Sequence, residues 1–301
     1  MTVHAHQALL QPARSDDAQV VQALRGHSGA GVALCTRFGE SFVRKTACDA
    51  AGNLRLRRQA IKQRLLAAQG FAFPPVRRIA QDAQGRAFFE MDYIPARTLA
   101  ELVAHAVPFD RDTVVEAVGG LVRALAAAAA GPIPQDLFHR KIADIVRQSE
   151  TLAILAPHRL AIAALGGALS ARDWSGVPHS PDHGDLTLEN ILVPQDGRAV
   201  FLDCDAAWVS SAWLDLAKLF QDIGGLWFLR AAGPPSVDAL ERLSRLGEQL
   251  RALAGRIDPG LPPRLNQFAA LHLFRTLPYT RDAGFAAFAL TAADRLLGLP
   301  S

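Results

Sequence analysis

The stretch that decides the fold runs from residue 183 to residue 203 and reads HGDLTLENILVPQDGRAVFLD. Two apolar runs flank an Asp-Gly pair in its second half, and this arrangement predicts a β-hairpin. Because hairpin strands run antiparallel, Asn190 at the start of the first strand is expected opposite Asp203 at the end of the second. An amide oxygen and a carboxylate would then converge, and Mg²⁺ prefers oxygen ligands. Asp185 precedes the hairpin and can serve as a base or orienting group for an attacking hydroxyl.

Upstream of this stretch, the first 94 residues predict a small sheet and one helix. Two β-rich runs joined by a Gly-Glu turn have the pattern of a hairpin. A segment with apolar residues at roughly helical spacing follows and stops at Gly70. Two further strands flank a turn-forming Gln-Asp-Ala-Gln-Gly segment. The predicted elements are the hairpin 31–46, the helix 54–69 and the strands 76–80 and 86–94.

The rest of the chain predicts a mainly helical second lobe, because alanine- and leucine-rich segments dominate from Thr98 onward. Pro95 and the polar residues after it mark the crossing point between the lobes. We therefore expect an α+β fold with an N-terminal lobe, 1–94, and a C-terminal helical lobe, 95–301. The Gly- and Pro-bearing segment 255–263 is expected to be a loop between the last helices.

The composition excludes several classes of protein. Half of the 301 residues are hydrophobic and a fifth are charged, which is ordinary for an ordered globular chain. The net charge is only +3 and the arginines are scattered, so no nucleic-acid partner is expected. The three cysteines, Cys35, Cys48 and Cys204, are too few and too irregularly spaced for a disulfide framework or a zinc site. A reducing compartment fits best.

No segment has the pattern of a signal peptide or a membrane span. The N-terminus lacks a charged start followed by an apolar run, and no run of 18 apolar residues follows. We therefore expect a cytoplasmic protein without a membrane partner, of unknown oligomeric state. A short basic cluster, Arg55–Arg64, lies on the predicted helix and is either a solvated face or a phosphate-binding group.

The pattern H-x-D-x-x-x-x-N, followed thirteen residues later by an Asp, resembles the catalytic and metal-binding loops of the protein-kinase-like superfamily. The His183-Gly184-Asp185 start is most similar to the aminoglycoside phosphotransferase and choline kinase branch. The resemblance implies a two-lobed kinase-like fold and ATP as phosphoryl donor. It also implies Asp185 as catalytic base and Asn190 and Asp203 as Mg²⁺ ligands, with Asp205 as a weaker metal-site candidate. His183 is expected to pack the loop rather than to transfer protons.

The resemblance extends upstream to a lysine strand. The sequence Val43-Arg44-Lys45 is similar to the V-A-I-K strand of kinases, which implies that Lys45 contacts ATP phosphates. Strand alternation puts Val43 and Lys45 on one face. The alternatives are a solvated lysine, or Arg44 in the same role if the register slips by one residue.

Two further segments resemble nucleotide contacts that use backbone atoms. The glycine-rich residues 26–31, including Gly29 and Gly31, resemble the flexible loop whose backbone amides approach the phosphates. The segment 91–94 resembles the inter-lobe hinge, which would offer the Asp92 carbonyl and the Ile94 amide to adenine.

The sequence departs from the kinase pattern at the partner of the lysine. The first-lobe helix of kinases supplies a Glu for that role, yet no Glu occurs between Thr46 and Phe89. Gln59 or Gln63 is the expected neutral substitute. Further along, Asp215 resembles the helix carboxylate that braces the catalytic loop by accepting backbone hydrogen bonds, although a helix-start cap is the alternative.

Three functions fit these patterns: a small-molecule kinase, a protein Ser/Thr kinase and a nucleotide-binding regulator without catalysis. Protein kinases place a long peptide platform after the metal Asp, usually marked D-F-G and A-P-E, and both marks are missing. Only residues 204–214 separate Asp203 from Asp215, and Gly184 stands where an arginine commonly receives an activation-loop phosphate. We therefore expect a phosphotransferase acting on a small hydroxylated acceptor of the sugar, aminoglycoside or amino-alcohol type.

Overall fold

The computed structural model of the chain describes residues 18–24, 30–205, 207–230 and 235–299. It divides into two compact units. The first comprises Met1–Ala96 and Val200–Ala206, and the second comprises Arg97–Ala199 and Ala207–Ser301.

The first unit is built on a five-stranded sheet in the order β1-β2-β3-β5-β4. Every neighbouring pair is antiparallel. The predicted hairpin 31–46 is confirmed as β2 and β3, whose turn places Phe38 and Gly39 at positive φ, 51° and 82°. The strand β1 was not predicted. The strands are β1 (Gln19–Leu24), β2 (Gly31–Arg37), β3 (Glu40–Thr46), β4 (Val76–Gln81) and β5 (Ala87–Asp92).

One helix, α1 (Ala50–Ala68), packs against β4 and β5 of this sheet. It starts four residues earlier than predicted because the Asp49 side chain caps it, accepting a hydrogen bond from the Gly52 amide at 2.7 Å. It ends before Gly70, whose positive φ of 89° suits glycine. The core of the unit contains Val43, Ala47, Leu56, Ala60, Phe89 and Met91.

The second unit is mainly helical, as predicted. A short antiparallel pair, β6 (Arg97–Thr98) with β7 (Ile191–Val193), lies beside a capping box formed by Thr98 and Glu101 at the start of α2. The buried helix α8 packs against α6 and α9. The helices are α2 (Leu99–Ala104), α3 (Arg111–Ala127), α4 (Gln135–Glu150), α5 (Arg159–Ser170), α6 (Ala212–Ile223), α7 (Val237–Ile257), α8 (Leu265–Phe274) and α9 (Ala283–Leu297). Short 3-10 helices occur at Ala153–His158, Leu188–Asn190, Trp227–Leu229, Pro262–Arg264 and Leu277–Tyr279.

The predicted loop 255–263 is shorter than expected. Helix α7 continues to Ile257, so Gly255 lies in its last turn. The helix tolerates this glycine because its conformational cost is only about 1 kcal/mol, which packing of the buried α7 residues readily offsets.

One described stretch, Ala153–Ser170, is long and apolar enough to cross a membrane by length and composition, and 28% of it is buried. It comprises a 3-10 turn that contains Pro157, followed by α5. The apolar face of α5, with Ile162 and Leu165, packs against α4 and α9 inside the second unit.

The last strand, β8 (Val200–Phe201), belongs to the first unit. The Phe201 amide donates to the Ala72 carbonyl at 2.8 Å, and the Phe201 ring lies 5.7 Å from the ring of Phe73. These contacts attach the segment that contains Asp203 to the connection between α1 and β4 in the first unit.

Candidate active site

In the second unit, the backbone of the loop 183–190 is held by α6. The two carboxylate oxygens of Asp215 accept hydrogen bonds from the His183 and Gly184 amides at 2.5 and 2.7 Å. The N-cap of helix α6 is Ser211, so Asp215 does not cap the helix. The prediction that Asp215 braces this loop is therefore confirmed.

The Asp185 side chain is fixed from two sides but stays 41% exposed. Its Oδ1 pairs with the Lys218 ammonium at 3.1 Å. Its Oδ2 accepts a hydrogen bond from Asn190 Nδ2 at 3.0 Å, and the same amide nitrogen donates to the Asp185 carbonyl at 2.8 Å. Burial acts to raise the pKa of Asp185, but the charge and hydrogen bond of Lys218 outweigh it and the pKa lies below its ordinary value. Asp185 is thus a charged, oriented and accessible carboxylate at neutral pH.

A third residue of α6 also holds the loop 183–190. The buried Asp222 accepts a hydrogen bond from the Leu188 amide at 2.8 Å. Asp215, Lys218 and Asp222 are spaced three and four residues apart and so share one face of the helix. The sequence analysis found only Asp215. Polar residues repeating at this spacing in an otherwise apolar helix were the signal that could have found Lys218 and Asp222.

The environment of Asp222 has a testable effect on stability. Burial raises its pKa to about 7, whereas an unfolded Asp titrates near its ordinary value of about 4. Between these pH values the folded state keeps a proton that the unfolded state has lost, so the free energy of unfolding falls as the pH rises. We expect Asp222→Asn to flatten this dependence, which amounts to about 4 kcal/mol at most over three pKa units. Denaturant unfolding at pH 4.5, 6 and 7.5 measures it.

The control for that measurement is Asp238→Asn, which replaces an exposed carboxylate in the first turn of α7. We expect its pH dependence to match that of wild type. An Asp222→Asn variant whose stability falls with pH as steeply as wild type would contradict the assigned role of Asp222.

In the first unit, Lys45 is buried at 1% exposure and pairs with Asp203 Oδ1 at 2.9 Å. The expectation of a neutral glutamine partner is therefore wrong. The Gln63 amide donates instead to the Pro74 carbonyl at 2.6 Å, and Gln59 offers its backbone carbonyl to Cys204. A carboxylate from the chain segment 158 residues later replaces the missing helix Glu, because a buried ammonium is far more stable with a charged partner.

The neighbouring Arg44 has the opposite orientation. It contacts Glu90 on β5 at 2.5 Å, and Arg37 contacts the same carboxylate at 2.8 Å. Arg44 is directly across from Glu90 in the register of β3 and β5. The predicted alternation of Arg44 and Lys45 is confirmed, and the one-residue slip is excluded.

The segment that follows Asp203 is attached to α1. Arg55 bonds to Asp205 Oδ2, through Nε at 2.8 Å, and Lys62 donates to the Asp205 carbonyl at 2.6 Å. The buried Cys204 thiol contacts the Gln59 carbonyl at 3.7 Å, and burial raises the pKa of that thiol to about 12. Arg55 and Lys62 of the basic cluster thus hold the metal-site candidate segment in place, and Arg55 already occupies one oxygen of Asp205.

The expected backbone contacts to nucleotide lie in different parts of the first unit. Gly31 begins β2 and pairs with Thr46, whereas Gly29 lies outside the described residues. Asp92 ends β5, and its side chain accepts a hydrogen bond from Arg77 at 2.5 Å. Ile94 follows in the connecting segment, where no hydrogen bond between described residues uses its amide.

Each unit contains a side-chain oxygen of the kind that Mg²⁺ prefers as a ligand. Asn190 uses its Nδ2 for both bonds to Asp185, so its Oδ1 is the atom suited to a cation. Asp203 uses Oδ1 for Lys45, which leaves Oδ2 for the same purpose. Both are hard oxygen donors of the kind Mg²⁺ selects. No group of three or more His, Cys, Asp or Glu side chains suited to a metal occurs in the described ranges.

Comparison with known proteins identifies the family. A model of the phosphotransferase enzyme family matches residues 36–253, which include the lysine strand, the 183–190 loop and α6. The chain belongs to the phosphotransferase enzyme family. The predicted relationship to the aminoglycoside phosphotransferase branch of the protein-kinase-like superfamily is thereby confirmed. A search of curated proteins finds no match.

Solved structures show the same fold at low sequence identity. A thermostable mutant of aminoglycoside phosphotransferase APH(4)-Ia, in ternary complex with ADP and hygromycin B, aligns with a TM-score of 0.63 and 17% identity over 92% of each chain. Its apo form gives 0.60 and 16% over 94% of each chain. A Haemophilus somnus protein assigned provisionally as a fructosamine-3-kinase gives 0.56 and 13%, covering 92% of this chain and 89% of its own. These likenesses confirm the predicted kinase-like fold of this member of the phosphotransferase family.

Proposed function

We propose that the chain transfers the γ-phosphoryl group of ATP to a hydroxyl group of a small molecule. The observation that carries the proposal is the Asp185 carboxylate, which is charged, accessible and held in one orientation by Lys218 and Asn190. Phosphoryl transfer in this superfamily depends mainly on positioning and electrostatic stabilisation, and a fixed carboxylate next to the acceptor hydroxyl serves both. Membership of the phosphotransferase family supports the same reaction class.

In this proposal Asp185 orients the acceptor hydroxyl and accepts its proton as the bond to phosphorus forms. The lowered pKa keeps the carboxylate ionised at neutral pH, so it is ready to accept that proton. Lys218 and Asn190 position Asp185 without blocking it, since 41% of the side chain remains exposed. Asp215 and Asp222 position the backbone of the loop that carries it.

Lys45 is the proposed contact to the ATP phosphates. Its ammonium is already oriented by Asp203, which is the role that the helix Glu has in other kinases. The Asp92 carbonyl and the Ile94 amide are the proposed adenine contacts, and Gly29 and Gly31 belong to the proposed phosphate loop. The neighbour solved with ADP and hygromycin B supports a nucleotide and a small molecule as the two ligands.

Asn190 Oδ1 and Asp203 Oδ2 are the proposed Mg²⁺ ligands, with Asp205 as a weaker candidate because Arg55 already binds its carboxylate. Held by these oxygens, Mg²⁺ would supply positive charge to the phosphates during transfer. Since ATP is the donor, a cytoplasmic location is part of the proposal. A protein acceptor fits less well because residues 204–214 are too few to form a peptide platform, and a purely regulatory role is disfavoured by the intact set of Asp185, Asn190 and Asp203.

Nucleotide binding provides the first test. We expect ATP to raise the melting temperature of the wild type in the presence of Mg²⁺, because a ligand at 100 times its Kd stabilises the folded state by about 2.7 kcal/mol. The increase should be much smaller after addition of EDTA, because EDTA removes the metal that the proposal places between protein and ATP. Asp203→Ala should lose most of this Mg²⁺-dependent shift. The matched control is Asp196→Ala, an exposed aspartate in the preceding turn. Equal ATP shifts in wild type and Asp203→Ala, with and without metal, would rule out the proposed metal site.

A further inference from the structure

Three side chains of the second unit bring positive charge to the surroundings of Asp185. Lys218 pairs with it directly at 3.1 Å. Arg275, just after α8, is close enough for the charge of Asp185 to act on it. Lys141 on α4 is in turn close enough to Arg275 for their like charges to interact. Lys218 has Asp185 as its counter-ion, whereas Arg275 and Lys141 need negative charge from another source.

Arg275 is held in place by neutral groups. Its Nη1 hydrogen-bonds to His272 Nδ1 at 3.1 Å, and its guanidinium lies 5.5 Å from the ring centre of Trp208. The other nitrogen of His272 bonds to the Leu214 carbonyl of α6 at 3.0 Å, so Nε2 carries the proton and Nδ1 accepts one from Arg275. Burial holds the pKa of His272 well below its ordinary value, so the imidazole stays neutral. The arginine is therefore positioned by α6 and α8 without a carboxylate.

Lys141 approaches the same place from α4. It lies one turn after Phe138, whose ring meets Trp208 edge-on at a centroid distance of 5.3 Å. Residues three apart share a helix face, so Lys141 is directed to the side on which Trp208 and Arg275 lie. Asp144, the nearest acidic residue along α4, pairs with Arg147 at 2.5 Å.

Neither cation has a salt-bridge partner in the part of the chain that the structure describes, although the charge of Asp185 acts on Arg275 and that of Asp144 acts on Lys141. No carboxylate there lies within ion-pair distance of Arg275 or Lys141. Burial lowers the pKa of Arg275 to about 10, and burial followed by the charge of Arg275 lowers the pKa of Lys141. Arg275 therefore remains charged at neutral pH. Partly buried cations that repel each other are unfavourable unless a ligand supplies the negative charge, and such arrangements are concentrated at functional sites.

We propose that Arg275 and Lys141 bind an anionic group of the acceptor, so that the substrate is a hydroxylated compound carrying a phosphate or carboxylate. This inference rests on the proposed phosphotransferase function and narrows its acceptor class. The Trp208 ring, over which the Arg275 guanidinium lies, helps to hold this cation in place. Polycationic aminoglycosides are disfavoured as substrates, because Lys141, Lys218 and Arg275 would repel them.

The test measures binding by calorimetry with AMP-PNP and Mg²⁺ present, so that the nucleotide site is filled. The probes are inorganic phosphate, glucose, glucose 6-phosphate, glucuronate and glucosamine. We expect inorganic phosphate and at least one of the anionic sugars to bind at least about 10-fold more tightly than glucose or glucosamine, in line with charge-assisted hydrogen bonds. Glucose 6-phosphate and glucuronate distinguish the phosphate and carboxylate forms of the ligand.

Four variants locate the binding site. Arg275→Gln should weaken anion binding at least about 10-fold, and Arg275→Lys should restore part of it by returning the charge. Because Arg275 is partly buried, Lys141→Gln provides a second variant on a different helix, with a smaller loss expected. Arg281→Gln, which removes an exposed arginine six residues further on, should bind as wild type does.

The outcomes separate this inference from the proposed function. Anion affinity that is the same in wild type, Arg275→Gln and Lys141→Gln overturns the inference, as does tighter binding of glucosamine than of all the anions. Either result is compatible with a phosphotransferase that has another acceptor. Failure of ATP and Mg²⁺ to stabilise the wild type would instead contradict the proposed function itself.

Discussion

Asp185→Asn is expected to reduce phosphoryl transfer by about 10²- to 10⁴-fold while leaving nucleotide affinity within a few-fold of wild type. The asparagine keeps the size of the side chain, but its single acceptor oxygen can receive only one of the two bonds from Lys218 and Asn190, and it cannot accept the hydroxyl proton. A base acts in the transition state and contributes little to ground-state binding, so the loss should appear in kcat. Turnover measured beside calorimetric ATP binding tests both parts of the expectation.

The control for this variant is Asp196→Asn, which changes an exposed aspartate bonded only to Arg198 in the same chain region. It should leave both turnover and ATP affinity unchanged. If Asp185→Asn turns over at a rate close to that of wild type, Asp185 is not the catalytic base.

Lys45→Ala is expected to lower catalytic efficiency by about 10²- to 10³-fold, the usual effect of removing one preorganised cation from a transferring phosphoryl group. The substitution also leaves Asp203 without the partner that now fixes its orientation at 2.9 Å. Both effects act on the phosphates, so ATP affinity and the transfer rate should fall together. Kinetics at varied ATP concentration measure the two losses.

Arg44→Ala is the matched comparison for Lys45→Ala, because the two residues are neighbours on β3 with opposite orientations. Arg44 contacts Glu90, and its loss should lower the free energy of unfolding while leaving catalytic efficiency much less affected. A loss of efficiency in Arg44→Ala that equals or exceeds the loss in Lys45→Ala would contradict the assignment of Lys45 to the phosphates.

Local patterns in the sequence were sufficient for the elements that carry the site. The β2–β3 hairpin followed from alternation around a Gly-Glu turn, and its register placed Lys45 and Arg44 on opposite faces as observed. The bracing role of Asp215 followed from the resemblance of its segment to the kinase helix carboxylate. The hairpin depends on residues close together in the chain, where strand periodicity determines orientation.

Long-range pairing could not be predicted in the same way. The partner of Lys45 is Asp203, 158 residues later, and no periodicity connects positions so far apart. The missing helix Glu indicated only that the usual partner was absent. Strand β1 was missed because its burial is slight and its apolar residues do not alternate, so its pairing with β2 comes from tertiary context.

Helix α6 combines features that local sequence predicts with pairings that it does not predict. Lys218 and Asp222 are near Asp215 in sequence and share its helix face, so their common direction was accessible from helical spacing. Their partners, Asp185 and Leu188, lie more than 30 residues upstream, and that pairing required the structure. The cations Arg275 and Lys141 are further still from any motif, which is why the sequence left the acceptor undefined.

The most direct test of the central claim is the transfer of label from [γ-³²P]ATP, with Mg²⁺, to a panel of hydroxylated small molecules and to generic protein substrates in parallel. Neutral, anionic and cationic members of the small-molecule panel should be included, together with Asp185→Asn as the inactive comparison. We expect label on at least one small molecule with wild type, little or none with Asp185→Asn, and none on protein. Label transferred to proteins with no small molecule phosphorylated would contradict the account.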